Sequence, residues 1–204
     1  MRIIAGEHRG RRILSPPGRG TRPMLDRVRE ACFGKLQTRM EGAHVLDLFS
    51  GTGSLGLEAL SRGAAYCRMI EKHGRTTALL SENVEALDLE ERANVVCGSA
   101  ISEVHWAPPE GQEGAWADLI FLDPPYPWLS DPKHGAELVE ALGRLTREIL
   151  HPDGVLIFHT PRRGIFQDWI RRHVVEDHRI YGNSALWYIG AEIDDDETEE
   201  TDDE

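Results

Sequence analysis

Between residues 45 and 159 the chain alternates short apolar runs with amphipathic stretches, and this alternation limits the possible folds more than any other feature. The apolar runs lie at residues 45–49, 67–70, 93–97, 119–122 and 155–159. The stretches with a helical period between them are 57–62, 75–86 and 136–150. Such alternation is typical of an α/β fold with a mostly parallel sheet. Two later runs, 174–181 and 185–189, predict an antiparallel hairpin at the edge of that sheet.

Polar residues stand at the ends of four of the predicted strands. Asp47 precedes a glycine-rich loop, Glu71 ends the second strand, Ser99 follows the third and Asp123 follows the fourth. The carboxyl ends of parallel strands meet at one edge of a sheet, where α/β proteins bind their ligands. The sequence therefore predicts that these four side chains line one site.

The loop after the first strand matches the pattern G-x-G-x-x-G from Gly51 to Gly56. Glu71 follows about 20 residues later, the spacing at which an acid meets ribose hydroxyls in dinucleotide-binding proteins. Those proteins also set a pyrophosphate against the helix N-terminus, whereas Asp47 just before this loop suits a ligand with an ammonium group. S-adenosylmethionine has a ribose and an ammonium but no phosphate, so Asp47 and Glu71 favour it over NAD. The alternative is a tight strand–helix turn with capping acids.

A second motif, Asp123-Pro124-Pro125-Tyr126, follows the fourth strand. Proline fixes φ, lacks a backbone N–H and holds the preceding residue in an extended conformation. Asp123 is therefore expected to be extended at a strand end, beside the Pro124 carbonyl and the flat ring of Tyr126. Such a rim could hold a planar group that bears an amine. The alternative is a strand that ends in a simple proline turn.

Charge is distributed unevenly along the chain. The formal net charge is −12, but residues 192–204 contain ten acids and no bases. Without them, 25 Asp and Glu residues oppose 23 Lys and Arg residues, and residues 1–39 contain ten Lys and Arg against three Asp and Glu. A basic segment is typical of phosphate binding, although a solvated surface is the simpler alternative. The acidic segment predicts a disordered, solubilising tail.

The basic segment predicts a small hairpin followed by a helix. Residues 1–4 and 13–14 are its candidate strands, and Asp26 is the expected N-cap of the helix. Apolar positions recur at a helical spacing in that helix at Val28, Cys32 and Leu36. The basic residues expected to face outward are Arg27, Arg29, Lys35 and Arg39.

Length and composition agree with one main domain. The chain has 204 residues, of which 40% are hydrophobic and 28% charged, as in soluble globular proteins. We divide it into a basic extension (residues 1–40), a main domain (41–191) and an acidic tail (192–204). No apolar run is long enough for a membrane span and no signal-peptide core is present, so a cytoplasmic protein is expected.

Cysteine and histidine usage gives no metal-binding pattern. Cys32, Cys67 and Cys97 are scattered without a C-x-x-C pair, and the nine histidines have no ligand spacing. This argues against a disulfide framework and a zinc site. We expect buried neutral thiols and histidines with ordinary surface or core roles.

Several stretches resemble known families. Residues 46–53 resemble the first motif of class I S-adenosylmethionine-dependent methyltransferases, and residues 123–126 resemble the motif of enzymes that methylate exocyclic amines of bases. The stretches similar to the bacterial RsmD-type small-subunit rRNA guanine-N2 methyltransferases are 1–6, 9–11, 22–23, 26–30, 56–64 and 181–186. This resemblance covers nearly the whole chain except the tail.

The resemblance implies a Rossmann-like methyltransferase fold and a monomer that uses S-adenosylmethionine and no metal. It implies methyl transfer to N2 of a guanine in 16S rRNA, as free rRNA or in a 30S assembly particle. The implied catalytic residues are Asp123 and Pro124, which hold the amine, and Tyr126, which stacks on the base. The implied cofactor residues are Asp47, Phe49, Ser50, Gly51, Gly53, Glu71, Ser99 and Ala100. The implied RNA-binding residues are Arg9, Arg11, Arg12, Arg22, Arg27 and Arg29.

The sequence departs from this family at a few positions, and three other functions stay open. Met24 and Leu25 stand where threonines are usual, and Ser99 stands where many relatives have Asp or Asn for the adenine amine. An adenine-N6 or cytosine-N4 nucleic-acid methyltransferase would use the same acceptor motif, although no separate target-recognition domain is visible. A non-catalytic RNA-binding assembly factor would not need the intact strand-end residues. An NAD-dependent oxidoreductase shares the fold but would need hydride-chemistry residues that are not evident.

Overall fold

A seven-stranded sheet forms the centre of the computed structural model, which describes residues 1–15, 24–164 and 166–192. The strands are β1 (His44–Leu48), β2 (Tyr66–Glu71), β3 (Ala93–Cys97), β4 (Ala117–Leu122), β5 (Leu150–Pro161), β6 (Val175–Tyr181) and β7 (Ser184–Gly190). Their order across the sheet is β3-β2-β1-β4-β5-β7-β6. Strands β1 to β5 are parallel, and β7 runs antiparallel to both β5 and β6. The predicted α/β fold and its C-terminal hairpin are confirmed.

Five α-helices connect or flank these strands. They are α1 (Asp26–Lys35), α2 (Gly56–Ser61), α3 (Gly74–Ala86), α4 (Pro132–Arg144) and α5 (Phe166–Ile170). Helix α4 begins four residues earlier than predicted, because Asp131 accepts the His134 N–H at 2.8 Å and Pro132 occupies the first helical position. It continues into one π-helical turn, Leu145–Ile149. None of the helices in the described part of the chain has the length and apolar character needed to cross a bilayer.

The two faces of the sheet belong to two separate hydrophobic clusters. Alternate strand residues such as Val45 and Leu119 pack with α1, α2 and α3, whereas their neighbours Leu46 and Ile120 pack with α4 and α5. This follows from the two-residue period of a strand that is buried on both faces. By the same period Asp47 points to the face covered by α2, which explains its hydrogen bond to that helix, described below.

The N-terminal extension is joined to the main domain through α2. Its hairpin is a single antiparallel bridge between Arg2 and Arg12, and Ile3 packs in the same cluster as the sheet. The carboxylate of Glu58, fully buried in α2, accepts the backbone N–H of Ile4 at 2.7 Å and of Ala5 at 3.0 Å. A buried carboxylate requires such partners, so the extension and α2 position each other.

Some local predictions are wrong. Leu25, and not Asp26, occupies the cap position of α1, and Asp26 is its first helical residue. Strand β5 begins at Leu150, five residues before the predicted run 155–159, and its pairing with β4 shifts register after Ala117. Cys97 is exposed, because β3 is an edge strand.

The other two cysteines agree with the prediction of neutral thiols. Both are fully buried, and burial raises the pKa of Cys32 to about 12 and the pKa of Cys67 well above its usual value. Residues 16–23 and the predicted tail beyond Glu192 lie outside the described residues. The division into three segments stays a prediction.

Candidate active site

The strand-end residues lie on one edge of the sheet. Strand β1 is in register with both β2 and β4 up to its last residue, Leu48. Asp47 is the residue before it, Glu71 ends β2, Asp123 directly follows β4, and Ser99 lies two residues after β3. The topology therefore brings together the four side chains that the sequence predicted at one edge.

The glycine loop after β1 has a backbone that only small residues tolerate at two positions. Gly51 has φ of 57° and Gly53 has φ of 88°, in the left-handed region that favours glycine. A Cβ on Gly53 would lie 2.5 Å from Cδ1 of Leu80. Phe49 also has a positive φ, 62°, which is rare for a large residue and is held by the surrounding loop. The loop is therefore a shaped cradle between β1 and α2.

Asp47 lies beneath this loop. It is 1% exposed, and its Oδ2 accepts the N–H of Gly56 at 2.9 Å, while its backbone carbonyl accepts the Ser50 hydroxyl at 2.6 Å. Burial raises the pKa of Asp47 to about 8; the carboxylates of Asp123 and Glu71 act in the same direction, and the Gly56 bond opposes them. Its buried Oδ1 accepts no hydrogen bond from any described residue. A ligand with positive charge above the loop would favour the ionised carboxylate.

This burial predicts a measurable pH dependence of stability. The folded protein keeps a proton on Asp47 up to about pH 8, whereas the unfolded chain loses it near 3.8. The folded state therefore binds more protons between these values, and Asp47 makes the free energy of unfolding fall as pH rises. In Asp47→Asn, whose amide oxygen can still accept the Gly56 N–H, we expect a smaller fall between pH 5 and pH 7.5 in urea denaturation.

The exposed Asp153 supplies the matched control for this comparison. Asp153→Asn removes one carboxyl group far from the loop, so its pH dependence should parallel that of wild type. Parallel curves for Asp47→Asn and wild type would show that Asp47 is already ionised at low pH.

Glu71 connects the end of β2 to the glycine loop. Its Oε2 accepts the N–H of Gly51 at 3.1 Å, and its Oε1 accepts the N–H of His73 at 2.7 Å. Each carboxylate oxygen has a second lone pair, so Glu71 can also accept bonds from ligand hydroxyls. The spacing predicted this residue correctly at the edge, and the structure adds that it also supports the loop.

Two tryptophans support the segment after β3, where the adenine edge was predicted. The carbonyl of Ala100 accepts the indole N–H of Trp106 at 2.8 Å, and the carbonyl of Trp106 accepts that of Trp116 at 2.9 Å. Both rings are buried. The backbone of Ser99 and Ala100 is therefore held at the sheet edge by the 106–116 segment.

The acceptor motif has a hydrogen-bonded network that the sequence did not predict. Asp123 has a side chain that is 23% exposed, and its Oδ1 lies 2.8 Å from Nδ1 of His159. The other ring nitrogen, Nε2, lies 3.2 Å from the hydroxyl of Tyr126. That hydroxyl also lies 3.2 Å from Oγ of Ser184. Pro124 is buried and Tyr126 is exposed at the rim.

The histidine was missed because the nine histidines have no metal-ligand spacing. A usable signal was present, since His159 closes the last predicted parallel strand, just as Asp123 follows the fourth. Ser184 begins β7 and reaches the motif only because β7 pairs with β5. No local sequence pattern predicts a contact that depends on the pairing of two distant strands.

An aromatic contact connects the acceptor motif to the glycine loop. The Trp128 ring meets the Phe49 ring edge-on at a centroid distance of 5.3 Å and stacks on His134 at 4.2 Å. Edge-to-face pairs of this kind stabilise a fixed geometry by roughly 0.5–1.5 kcal/mol beyond burial. Phe49 is thereby held between the two halves of the site.

Most of the predicted RNA-binding arginines are exposed. Arg9, Arg11, Arg12 and Arg27 are accessible to solvent, and Arg22 lies outside the described residues. The guanidinium of Arg11 also donates to the carbonyl of Ala86.

The prediction that Arg29 faces outward is wrong. It is fully buried and donates to the Arg2 carbonyl at 2.7 Å and to Asp26 at 3.2 Å. It therefore connects α1 to the N-terminal hairpin, because the hairpin covers the helix face that periodicity alone assigned to solvent. Burial lowers the pKa of Arg29 from its ordinary value, while Glu58 and Asp26 oppose that shift.

Neutralising the exposed extension should weaken RNA binding in a salt-dependent way. Each phosphate contact contributes roughly 0.7–0.9 to the slope of log K against log salt. For Arg9→Gln/Arg11→Gln/Arg12→Gln we therefore expect a slope smaller by roughly 2–3, measured by filter binding or anisotropy on ribosomal RNA. Arg39→Gln is the control, since Arg39 bonds to the Asp153 carbonyl at the opposite edge of the sheet. An unchanged slope in the triple variant would show that these arginines do not touch phosphate.

Metal ligation has no candidate cluster in the described segments. No group of three or more His, Cys, Asp or Glu residues there could hold a metal ion. The functional groups that the described site offers are carboxylates, backbone carbonyls, hydroxyls and aromatic rings.

A glycine loop after β1, an acid at the end of β2 and the motif Asp123-Pro124-Pro125-Tyr126 after β4, on a mostly parallel sheet, define a Rossmann-like methyltransferase fold. The chain belongs to the family described as Conserved hypothetical protein 95, whose model matches residues 1–190. That family includes RsmD-type proteins, as the relatives below show, and the resemblance seen in the sequence is confirmed.

Relatives and solved structures agree with this assignment. The chain is 40% identical over 194 residues to "Ribosomal RNA small subunit methyltransferase D" of Escherichia coli K12, covering 95% of this chain and 76% of the relative. The solved structure of yhhF from Escherichia coli is 29% identical, with a TM-score of 0.72 over 94% of this chain and 99% of that one. A solved hypothetical protein of Thermus thermophilus is 27% identical, with a TM-score of 0.68 and the same two coverages.

Proposed function

We propose that this protein transfers a methyl group from S-adenosylmethionine to the exocyclic N2 of a guanine in small-subunit ribosomal RNA. The observation that carries the proposal is the position of Asp123. Its carboxylate stands at the end of β4, next to β1 and its glycine loop. The groups that would accept the amine and hold the cofactor are thus neighbours at one sheet edge. The named relative in Escherichia coli, a small-subunit rRNA methyltransferase, supports the choice of RNA.

The residues around the glycine loop fit S-adenosylmethionine. Asp47 has a buried Oδ1 that no described residue satisfies, which suits an ammonium group held above the loop. Glu71 has acceptor capacity left for ribose hydroxyls. When bound, this cofactor would supply a methyl group on a positively charged sulfur, which is electrophilic without any metal.

Asp123 and Pro124 would orient the amine. The lone pair of guanine N2 is conjugated with the ring, so the nitrogen is a poor nucleophile. Accepting its two N–H groups at the Asp123 carboxylate and the Pro124 carbonyl would turn the lone pair away from the base plane. Fixed orientation of two reactants is worth up to roughly 7–11 kcal/mol. Asp123 need not be a strong base, because the nitrogen loses its proton readily once it is alkylated.

Tyr126 would stack on the target base. Its ring is exposed at the rim, where an unpaired base could lie against it. Removing a base from its helix costs a few kcal/mol, and stacking on an aromatic ring returns roughly 1–3 kcal/mol. Phosphate contacts to the arginines of the extension would supply the remainder.

The proposal is tested by methyl transfer from labelled cofactor to undermethylated 30S particles and to free 16S rRNA. Nucleoside analysis of the product by mass spectrometry should show N2-methylguanosine. Methyladenosine or methylcytidine would indicate one of the alternative amine substrates. Cofactor binding without transfer to either RNA would support a non-catalytic assembly factor and contradict the proposal.

A further inference from the structure

The network behind Asp123 carries an inference that goes beyond the proposed function and rests on it. His159 follows Phe158, the residue of β5 paired with Leu122 of β4. It therefore lies level with Asp123, and its side chain is 5% exposed. A histidine buried between a catalytic carboxylate and a tyrosine is bound on both ring nitrogens. We infer that His159 is the positioning residue that fixes both the amine acceptor and the stacking ring.

The hydrogen-bond chemistry gives the network one direction. An ionised carboxylate only accepts, so Nδ1 of His159 carries the proton and donates it to Asp123 at 2.8 Å. In a neutral imidazole the other nitrogen is then an acceptor. The Tyr126 hydroxyl donates to it at 3.2 Å. Either hydroxyl can donate in the 3.2 Å contact between Tyr126 and Ser184, so with the phenol proton directed to His159, the Ser184 hydroxyl is the donor there.

This arrangement leaves one half of the carboxylate for the substrate. Within residues 1–15, 24–164 and 166–192, the hydrogen bond from His159 is the only one that Asp123 accepts through its side chain. With Oδ1 occupied, the rotation of the carboxylate is fixed, and Oδ2 stays available for the amine. Holding a reacting group within about 0.5 Å of its productive position requires such support.

The same imidazole restrains the ring that would stack on the base. Tyr126 and His159 have ring centroids 5.6 Å apart, tilted by 57°. A tyrosine at an exposed rim would otherwise move among rotamers, and ordering it during binding would cost free energy. Because one residue holds both groups, the distance between the amine acceptor and the stacking surface is set before RNA arrives. His159 does this without touching the substrate.

Two substitutions separate the two functions of His159. In His159→Asn the amide nitrogen takes the place of Nδ1, so the bond to Asp123 is kept and the bond to Tyr126 is lost. His159→Leu loses both bonds. Tyr126→Phe keeps the stacking ring and loses only the hydroxyl.

We expect distinct single-turnover rates at saturating RNA and cofactor. His159→Asn and Tyr126→Phe should each fall about 10-fold, the worth of one hydrogen bond. The double variant should fall no further than Tyr126→Phe, because that change already removes the bond to His159 that His159→Asn removes, together with the bond to Ser184. His159→Leu should fall about 100-fold, with the dissociation constant of S-adenosylmethionine unchanged in every variant. Wild-type rates in His159→Leu, or additive losses in the double variant, would overturn the inference.

A second readout does not depend on turnover. Long-range ¹H–¹⁵N NMR should show His159 as the neutral tautomer protonated at Nδ1, and the Nε2 shift should move in Tyr126→Phe. Protonation at Nε2 instead would overturn the inference even if methyl transfer is observed. If wild type transfers no methyl group but shows the expected tautomer and shift, the proposed function fails and the network stands.

Discussion

Asp123→Ala should lose roughly 10²–10³-fold in the rate of methyl transfer while it still binds S-adenosylmethionine. The loss reflects the removal of an acceptor that orients the nitrogen lone pair, and effects of this size are typical when one preorganised polar group is deleted. The side chain is at the rim and 23% exposed, so folding should be retained. Single-turnover label transfer and calorimetric titration with cofactor measure the two quantities separately.

An isosteric change gives a sharper version of this experiment. Asp123→Asn keeps one acceptor oxygen but places an amide N–H₂ either toward His159 or toward the amine. If the amide N–H₂ of Asn faces His159, the imidazole must adopt its other tautomer to accept from it. If the amide N–H₂ faces the substrate amine, two donors oppose each other and the amine is bound less well. The rate should therefore lie between those of wild type and the alanine variant. Equal loss of cofactor binding in both variants would contradict the role of Asp123 as an acceptor and indicate a structural one.

Gly6→Ala should detach the N-terminal extension, whereas Gly10→Ala should not. Both glycines have φ of +85°, so each substitution carries the cost of a left-handed backbone, roughly 1–3 kcal/mol. They differ in their surroundings. A Cβ on Gly6 would lie 1.7 Å from the carbonyl oxygen of Ser61, while a Cβ on Gly10 meets nothing within 4 Å.

The clash at Gly6 cannot be relieved by a side-chain movement, because the atom it meets is backbone. The extension would have to move away from α2, and the buried carboxylate of Glu58 would lose the N–H groups of Ile4 and Ala5. Oε1 of Glu58 would keep its hydrogen bond from Arg62 at 2.7 Å, but the loss of backbone donors to a buried carboxylate still costs about 1–3 kcal/mol. Urea unfolding should therefore show a loss in Gly6→Ala larger than in Gly10→Ala by at least that amount.

Loss of the contacts between the extension and α2 in Gly6→Ala should also change RNA binding. We expect weaker RNA binding with a reduced salt slope, because Arg9, Arg11 and Arg12 are no longer held in place. Gly10→Ala has the same backbone penalty and serves as the matched control. Equal stabilities of the two variants would show that the extension does not depend on its contact with α2.

The motifs at the strand ends could be predicted because each depends on local chemistry. The glycine loop, the acid after β2 and the proline motif after β4 follow from turn geometry and from the rule that parallel strands end at one edge. The structure placed Asp47, Glu71, Ser99 and Asp123 there. Their ligands, and the roles of Phe49, Ser50 and Ala100, stay proposals.

The features that the sequence did not reveal have a common physical origin. Asp47 is buried because the two-residue period of β1 directs its side chain to the face that α2 covers. Its position near a strand end does not by itself predict that burial. Arg29 has the spacing of an outward residue of an amphipathic helix, yet the hairpin of the extension lies over that face and buries it. In both cases the neighbour that decides the outcome belongs to another element, so the local pattern does not contain the information.

By itself the sequence determined the succession of strands and helices along the chain, the positions of the glycine loop and of the Asp123-Pro124-Pro125-Tyr126 motif, and the family. These are set by hydrophobic period, by glycine and proline, and by residues close together in the chain. Only the tertiary structure decided how the acceptor motif is supported. His159 reaches Asp123 because β5 lies beside β4, and Ser184 reaches Tyr126 because β7 lies beside β5. Those contacts depend on strand order, which is a property of the packed sheet and of no single segment.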